Sequence, residues 1–357
     1  VRGGWSWGEK WHCATIAHQL RNQACACVVV PDYPKFPQGT ILDMVESVHA
    51  VLQWVKDHAA LYGGDATRIH LVGHSAGAHL AQLWSVRRAM ALLGVSCSDV
   101  LHPAPQQQQE DGTPAVPASV KQQQPMPISL FAIPQSTRAT LKKLPNSVGR
   151  TGLLHSQDFT TGPQIHSLML FAGVYDLAAH QAQLELRCTD AVSSLASAVD
   201  GLWKECSPLI LLEELSKSVS CGHHRGAVNE CCCCVVELSH NLESLFPQEV
   251  SYYHDPVDDV VAYQQSALCH DAMTSCFKHL ATIIHAFRSS SPSAKSPVSR
   301  LVTFPYGHDT IVLTSMPQSV QRSDTRKNTR DGSSAPTLKE GRSARPLIDE
   351  ITRVVNY

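Results

Sequence analysis

Apolar residues in this chain fall either in short continuous runs or at helical spacing in longer stretches. In the first part of the chain these two patterns alternate. They predict, in turn, a helix over Cys13–Leu20, a strand over Ala24–Val30, a helix over Thr40–Tyr62, a strand over Arg68–Val72 and a helix directly after it. The short runs are apolar almost throughout, which is typical of strands buried on both faces. This order predicts a mostly parallel sheet covered by helices on both faces.

The same alternation resumes after residue 164. It predicts a strand at Ile165–Val174, a helical region at Leu209–Leu215, a strand at Glu249–Tyr253, a helix at Tyr263–Phe287, a strand at Arg300–Phe304 and a last helix at Arg345–Val355. The sequence between these elements is rich in Gln and Pro, in Cys, or in polar residues. We therefore expect one domain over residues 1–357, interrupted by low-complexity insertions at 97–163 and 217–245 and by a polar stretch at 315–345.

The charge balance excludes one class of partner. Lys and Arg number 29, Asp and Glu number 31, and the net charge at pH 7 is −2, so there is no basic field to hold a nucleic acid. No stretch reaches the roughly 18 to 20 consecutive apolar residues of a membrane span, and no signal segment opens the sequence. Membrane contact is therefore expected only through a segment that precedes these residues.

The cysteines do not form a recognisable framework. There are 13, and four of them are consecutive, Cys231–Cys234, whereas a secreted disulfide scaffold has spaced pairs. With Cys221 and the pair His223–His224, this run is a candidate metal site. Adjacent cysteines lack the loop spacing that tetrahedral zinc prefers, so we expect reduced thiols and no metal.

Residues 73–77 read Gly-His-Ser-Ala-Gly and fit the pattern G-x-S-x-G. A predicted strand precedes them and a predicted helix follows, which is the context that a nucleophile elbow requires. Small residues at Gly73 and Gly77 let strand and helix approach without a Cβ clash, and His74 lies inside the turn. The pattern in this context predicts that Ser75 is a nucleophile.

A serine nucleophile needs a base and an acid, which in this architecture follow it along the chain at the ends of later strands. His308 stands just after the strand predicted to end at Phe304 and is the candidate base. Asp258 follows the strand predicted to end at Tyr253 and is the candidate acid. Three further aspartates near strand ends remain as rivals for the acid: Asp176, Asp255 and Asp259.

Longer stretches around these residues resemble the prenylcysteine methylesterases, within the wider carboxylesterase branch of the α/β-hydrolase fold. The matching segments are Pro31–Tyr33, Phe36–Val45, Tyr62–Asp65, Gly73–His79, Gly173–Leu177, Ser207–Pro208 and Phe246–Pro247. Residues 254–261 resemble that family's H-G-x-x-D-x-x-V segment, and residues 307–308 its G-H site. The resemblance covers residues 3–94, 164–212 and 246–313, and it implies the α/β-hydrolase fold with Asp258 as the acid.

The sequence departs from the family's pattern at two places. In the wider family an H-G-G-x-W-x-x-G loop donates backbone N–H groups to the oxyanion, and here residues 1–8 read Val-Arg-Gly-Gly-Trp-Ser-Trp-Gly. Because the donors are main-chain groups, the resemblance still implies an oxyanion hole formed by Gly3, Gly4 and Ala76, with Arg2 placed where it can displace the loop. The second departure is Asp255, where the family has Gly, in the turn that aims Asp258.

In this fold the strand that leads into the oxyanion loop lies inside the sheet, and the sequence starts at that loop. An absent interior strand leaves unpaired backbone groups on both of its neighbours. We therefore expect N-terminal strands that are missing from these residues.

The expected function is that of a serine carboxylesterase that works through an acyl-enzyme and needs no metal or organic cofactor. The resemblance implies a prenylcysteine methyl ester as the substrate and is compatible with association with endomembranes. An arylformamidase or a general carboxylesterase would use the same triad. A catalytically silent or truncated hydrolase-fold protein is the alternative from another class, motivated by the two departures.

Overall fold

The computed structural model describes residues 2–97, 101, 158–190, 193–220, 242–287, 297–308 and 346–356. One unit of the chain comprises residues 1–102 and 157–357, and a second unit, residues 103–156, lies outside the described residues. The run Cys231–Cys234, the pair His223–His224 and the polar stretch 315–345 also lie outside them.

Among the described residues, five parallel strands form one sheet, and their order across it is their order along the chain. They are β1 (Arg2–Gly3), β2 (His70–Ser75), β3 (Ser167–Phe171), β4 (Glu249–His254) and β5 (Val298–Thr303). Because every neighbouring pair is parallel, the carboxyl ends of the strands lie along one edge of the sheet. The parallel sheet predicted from the apolar runs is confirmed.

Nine α-helices are described. In chain order they are α1 (Ala14–Ala24), α2 (Ile41–His58), α3 (Ala76–Leu92), α4 (Leu177–Leu186), α5 (Leu195–Val199), α6 (Pro208–Ser220), α7 (Leu242–Leu245), α8 (Tyr263–Phe287) and α9 (Pro346–Val355). The start of α2 is fixed by a capping box, in which the Thr40 hydroxyl accepts from the Asp43 N–H and the Asp43 carboxylate accepts from the Thr40 N–H. None of the described helices is long and apolar enough to cross a membrane.

Successive side chains of β3 show how the helices cover both faces of the sheet. Leu168 and Leu170 point into the larger apolar cluster, which includes side chains of α2, α3, α6 and α8. Met169 and Phe171 point to the other face and pack with side chains of α1 and α9. All four are fully buried, as the continuous apolar run predicted. Helices on both faces of a parallel sheet, the layering expected from the sequence, are therefore confirmed.

The strand predicted over Ala24–Val30 is wrong. Ala24 is the last residue of α1, Cys25 turns the chain with a φ of 50°, and residues 26–30 are in no strand. An apolar cavity of about 460 Å³ separates this segment from β2 and is lined by both. A strand needs a hydrogen-bonded neighbour, and no described strand lies beside residues 26–30. Local apolarity therefore did not suffice to form one.

The folded part also extends past the expected limits of the two insertions. Phe159 is buried, with its ring centroid 4.9 Å from that of His49 on α2. The helix α6 continues to Ser220, and Leu245 at the end of α7 is buried. Phe159 and Leu245, at the margins of the expected insertions 97–163 and 217–245, therefore belong to the core, and most of both insertions lies outside the described residues.

Candidate active site

Ser75 is the last residue of β2 and immediately precedes α3. Its backbone has a φ of 55° and a ψ of −125°, a combination that L residues rarely adopt, so its hydroxyl is presented on a strained turn. The turn depends on Gly73, because a Cβ there would lie 2.6 Å from the Gly77 carbonyl oxygen and 2.7 Å from the Ala78 nitrogen. This close approach explains why strand and helix need a small residue at position 73.

The structure brings three of the predicted side chains into one hydrogen-bonded row. His308 Nε2 lies 2.9 Å from Ser75 Oγ, and His308 Nδ1 lies 2.9 Å from Asp258 Oδ2. Since Asp258 follows β4 and His308 follows β5, both reach the carboxyl edge of the sheet where β2 ends. With its proton on Nδ1, the imidazole donates to Asp258 and leaves Nε2 to accept from the Ser75 hydroxyl. An imidazole in this position can remove the proton of the hydroxyl.

The Asp258 carboxylate is surrounded by hydrogen-bond donors. Its Oδ1 accepts from the N–H groups of Val260 (2.8 Å) and Val261 (2.9 Å), and its Oδ2 lies 2.9 Å from His308 and 3.3 Å from His254 Nε2. Burial alone would raise the pKa of Asp258, but the bonds from His254 and His308 outweigh burial and hold this pKa well below its usual range. The carboxylate is therefore ionised and able to orient an imidazole.

His254 is part of the site, although sequence analysis assigned it no role beyond its place in the family's motif. Its ring is fully buried. Its Nε2 faces both the Val261 carbonyl oxygen (3.0 Å) and Asp258, while its Nδ1 lies 2.6 Å from the Ser266 hydroxyl. Since Nε2 faces two acceptors, it carries the proton, and Nδ1 accepts from Ser266. His254 and His308 therefore contact the same oxygen of Asp258.

The rival aspartates have other partners. Asp176 caps α4, where its carboxylate accepts from the Ala179 N–H at 3.0 Å. The Asp255 carboxylate accepts from the N–H groups of Val257 and Gly307. Asp259 contributes its main-chain carbonyl oxygen to the guanidinium of Arg187. None of these carboxylates is hydrogen-bonded to the His308 ring in the part of the chain that the structure describes.

The predicted oxyanion donors lie around the end of β2. Gly3 is in register with Ser75 across β1 and β2, and Ala76 is the first residue of α3, where a helical N–H has no partner within the helix. Gly4 is engaged differently, since its N–H donates to the Trp7 carbonyl oxygen at 3.2 Å. This N–H has to leave that carbonyl before it can serve an oxyanion.

The loop that carries Gly4 is fastened to α3 through its tryptophan. Trp5 is buried and its indole N–H donates to His79 Nδ1 at 3.2 Å, while His79 Nε2 donates to the Cys206 carbonyl oxygen at 2.8 Å. Burial lowers the pKa of His79 to about 4, so the ring is neutral near pH 7 with one nitrogen free to accept. Trp5 therefore holds its loop against α3. Sequence reasoning missed His79, although this residue ends the matching segment Gly73–His79.

The described residues offer no cluster of three or more His, Cys, Asp or Glu side chains placed to hold a metal ion. The apolar cavity beside β2 is a separate feature of the fold. Its lining includes Gly73 and His74 but not Ser75, Asp258 or His308.

Comparison with known proteins supports the fold. Residues 2–147 match the model of a family described by the α/β hydrolase fold. A probable isoprenylcysteine alpha-carbonyl methylesterase of Oryza sativa subsp. japonica is 38% identical over 113 residues, which cover 26% of this chain and 26% of that protein. A probable isoprenylcysteine alpha-carbonyl methylesterase of Arabidopsis thaliana is 44% identical over 81 residues, covering 22% and 16%.

Two further proteins are similar at a greater distance. A probable carboxylic ester hydrolase of Mycobacterium tuberculosis is 37% identical over 82 residues, covering 23% of this chain and 19% of that protein. A crystal structure of a carboxyl esterase from Tuber melanosporum covers 99% of this chain and 74% of its own at 15% identity, with a TM-score of 0.46. The matches to the rice and Arabidopsis proteins span about a quarter or less of their length. The chain has the α/β-hydrolase fold and, over the matched segments, is similar to the prenylcysteine methylesterases.

Proposed function

We propose that this chain carries the active site of a serine carboxylesterase. The observation that carries the proposal is the row of two 2.9 Å contacts that joins Ser75, His308 and Asp258. Ser75 Oγ attacks the ester carbonyl carbon while His308 takes its proton. His308 then gives that proton to the leaving alcohol, and Asp258 keeps the ring in the correct tautomer and stabilises the imidazolium. A water molecule, activated by the same imidazole, releases the acid and restores Ser75.

Backbone N–H groups would stabilise the negative charge that develops on the carbonyl oxygen. Ala76 supplies one at the start of α3, and Gly3 and Gly4 supply the others from the loop beside it. Removing one oxyanion donor lowers kcat by about 10² to 10³ in a serine hydrolase. The bond between Gly4 and Trp7 therefore bears on the rate, since a loop that keeps it offers one donor fewer.

The substrate we propose is a prenylcysteine methyl ester. Two relatives whose names specify such an ester support this choice. A second support is apolar surface next to the acid. Val257 and Val260, on the turn that holds Asp258, are 82% and 40% exposed. At about 0.8 kcal/mol per buried CH₂, a long prenyl chain laid on such side chains would contribute more than any contact to a methoxy group.

Covalent labelling tests the mechanism. A fluorophosphonate should label the full-length protein, and Ser75→Ala should abolish the labelling, because removing a triad serine lowers kcat by about 10⁶. Ser85→Ala is the matched control, since Ser85 is a buried serine of α3, the helix that follows Ser75, and makes no contact with His308 or Asp258 among the described hydrogen bonds. Undiminished labelling of Ser75→Ala would contradict the nucleophile, and an unlabelled wild type would favour a catalytically silent hydrolase fold.

A pair of matched esters tests the substrate. S-farnesylcysteine methyl ester should be hydrolysed with a kcat/KM well above that of cysteine methyl ester, since the two differ only in the prenyl chain. Short nitrophenyl esters should also react, because they need only the triad and the oxyanion donors. Equal kcat/KM for the two methyl esters, with strong preference for a short-chain ester or an arylformamide, would replace this substrate by that of a general carboxylesterase or an arylformamidase.

A further inference from the structure

Asp255 is a buried carboxylate at the point where the resembling family has Gly. It follows β4 directly and is 6% exposed. Burial of a charge is unfavourable unless donors replace the lost water. Two main-chain donors do so here, because the N–H of Val257 bonds to Oδ1 at 3.0 Å and the N–H of Gly307 bonds to Oδ2 at 2.6 Å.

The bond to Gly307 joins two loops that are 52 residues apart along the chain. Gly307 precedes His308 and has a φ of 63°, in the left-handed region that favours glycine. A carboxylate accepting from an N–H forms a charge-assisted bond, about twice as strong as a neutral one. Asp255 therefore fixes the peptide group just before the candidate base from the same turn that carries the candidate acid.

The Phe304 ring anchors the start of the short segment that ends at His308 by packing on Phe171 and Tyr253. Where β5 ends, the Phe304 N–H donates to the His254 carbonyl oxygen at 2.9 Å. At its far end, His74 Nε2 donates to the His308 carbonyl oxygen at 3.0 Å. Between these two points, the bond from Gly307 to Asp255 adds a main-chain tie to the acid loop, beside the bond between the side chains of His308 and Asp258.

We propose that Asp255 is a positioning residue that holds the His308 loop against the Asp258 loop. It touches neither substrate nor reacting atoms, and the inference rests on the proposed function. A carboxylate at this position supplies a tether between the two loops that a glycine lacks. Because a misplacement of about 1 Å at a reacting group can lower a rate about 10²-fold, loss of the tether is expected to act on the chemical step and not on substrate binding.

Steady-state kinetics on the full-length protein tests the proposal. Asp255→Ala should lower kcat roughly 10- to 100-fold and leave KM within about twofold, and the rate of fluorophosphonate labelling should fall in parallel. Asp255→Asn should give an intermediate loss, because one amide oxygen can accept from Val257 or from Gly307 but the NH₂ group cannot. Asp176→Ala is the matched control, since it removes a similar carboxylate-to-backbone bond at the start of α4 without touching the His308 loop.

A spectroscopic readout separates positioning from turnover. The Nδ1 proton of His308, bonded to Asp258, should give a far-downfield proton resonance that Asp258→Asn removes. Asp255→Ala should weaken or abolish this resonance, and Asp176→Ala should leave it in place. An unchanged resonance and kcat in Asp255→Ala, or equal losses in Asp255→Ala and Asp176→Ala, would overturn the role of Asp255. A wild type that hydrolyses no ester would contradict the proposed function, while the resonance still decides on Asp255.

Discussion

The buried ring of His79 is expected to make the stability of this protein fall in mild acid. His79 is fully buried in α3 and accepts from the Trp5 indole through Nδ1. Protonation of Nδ1 would break that bond and place a charge in the core. Burial accordingly lowers the pKa of His79 from 6.5 to about 4.

The size of the effect follows from linkage. Between pH 6.5 and pH 4 the unfolded chain binds a proton at this site and the folded protein does not, so the free energy of unfolding falls as the pH falls. Going from pH 7.5 to pH 5, this one group should lower the free energy of unfolding by about 2 kcal/mol, and by about 3 kcal/mol at pH 4. Total stabilities of about 5 to 15 kcal/mol make such a change measurable.

Urea unfolding at pH 7.5 and pH 5 is the assay, with His79→Gln as the variant. Glutamine does not titrate and retains a donor for the Cys206 carbonyl oxygen. The variant should lose about 2 kcal/mol less than the wild type between the two pH values. His18→Gln, which replaces an exposed histidine of α1, should keep the wild-type difference. Equal differences in wild type and His79→Gln would refute the reasoning, whatever the absolute stabilities.

Two further changes test the geometry of the site. Asp258→Asn should lower kcat by about 10⁴, because the His308 ring loses the group that fixes its tautomer. Asp176→Asn is the control. A larger loss of kcat in Asp176→Asn would show that the catalytic acid is Asp176, after β3. Gly73→Ala should lower the free energy of unfolding by about 1 to 3 kcal/mol, since the added Cβ meets backbone atoms 2.6 Å away. In urea unfolding, Gly64→Ala, with its nearest contact at 3.2 Å, should be milder, and an unchanged midpoint for Gly73→Ala would contradict the close packing of β2 on α3.

The parts of the site that the sequence predicted are those that local pattern and chain order determine. The elbow at Ser75 is recognisable because strand, small residues and helix are contiguous in the sequence. His308 and the four candidate acids were found because parallel strands bring their carboxyl ends to one edge, where a residue just after a later strand can reach the nucleophile. That order did not separate Asp258 from its three rivals, and the family resemblance made this choice.

The features that the sequence did not predict depend on contacts between distant residues. Whether residues 26–30 form a strand depends on a hydrogen-bonding neighbour, which an apolar run does not specify. The bond between His79 and Trp5 spans 74 positions, and that between Asp255 and Gly307 spans 52. Both are visible only once the loops at the carboxyl edge are placed against each other.

The sheet order also limits how freely His308 can be placed. Ser75 lies on β2 and His308 follows β5, which is three strand spacings away, or about 14 Å at 4.8 Å each. His308 is the fifth residue after Thr303, and five extended residues span at most about 17 Å. The segment nevertheless turns, since the Tyr306 N–H donates to the Phe304 carbonyl oxygen at 2.9 Å and Gly307 has a φ of 63°. Its hydrogen bonds therefore decide where the imidazole arrives. The bond from the Gly307 N–H to Asp255 holds the backbone just before His308. For this reason Asp255 can influence the contact between His308 and Ser75.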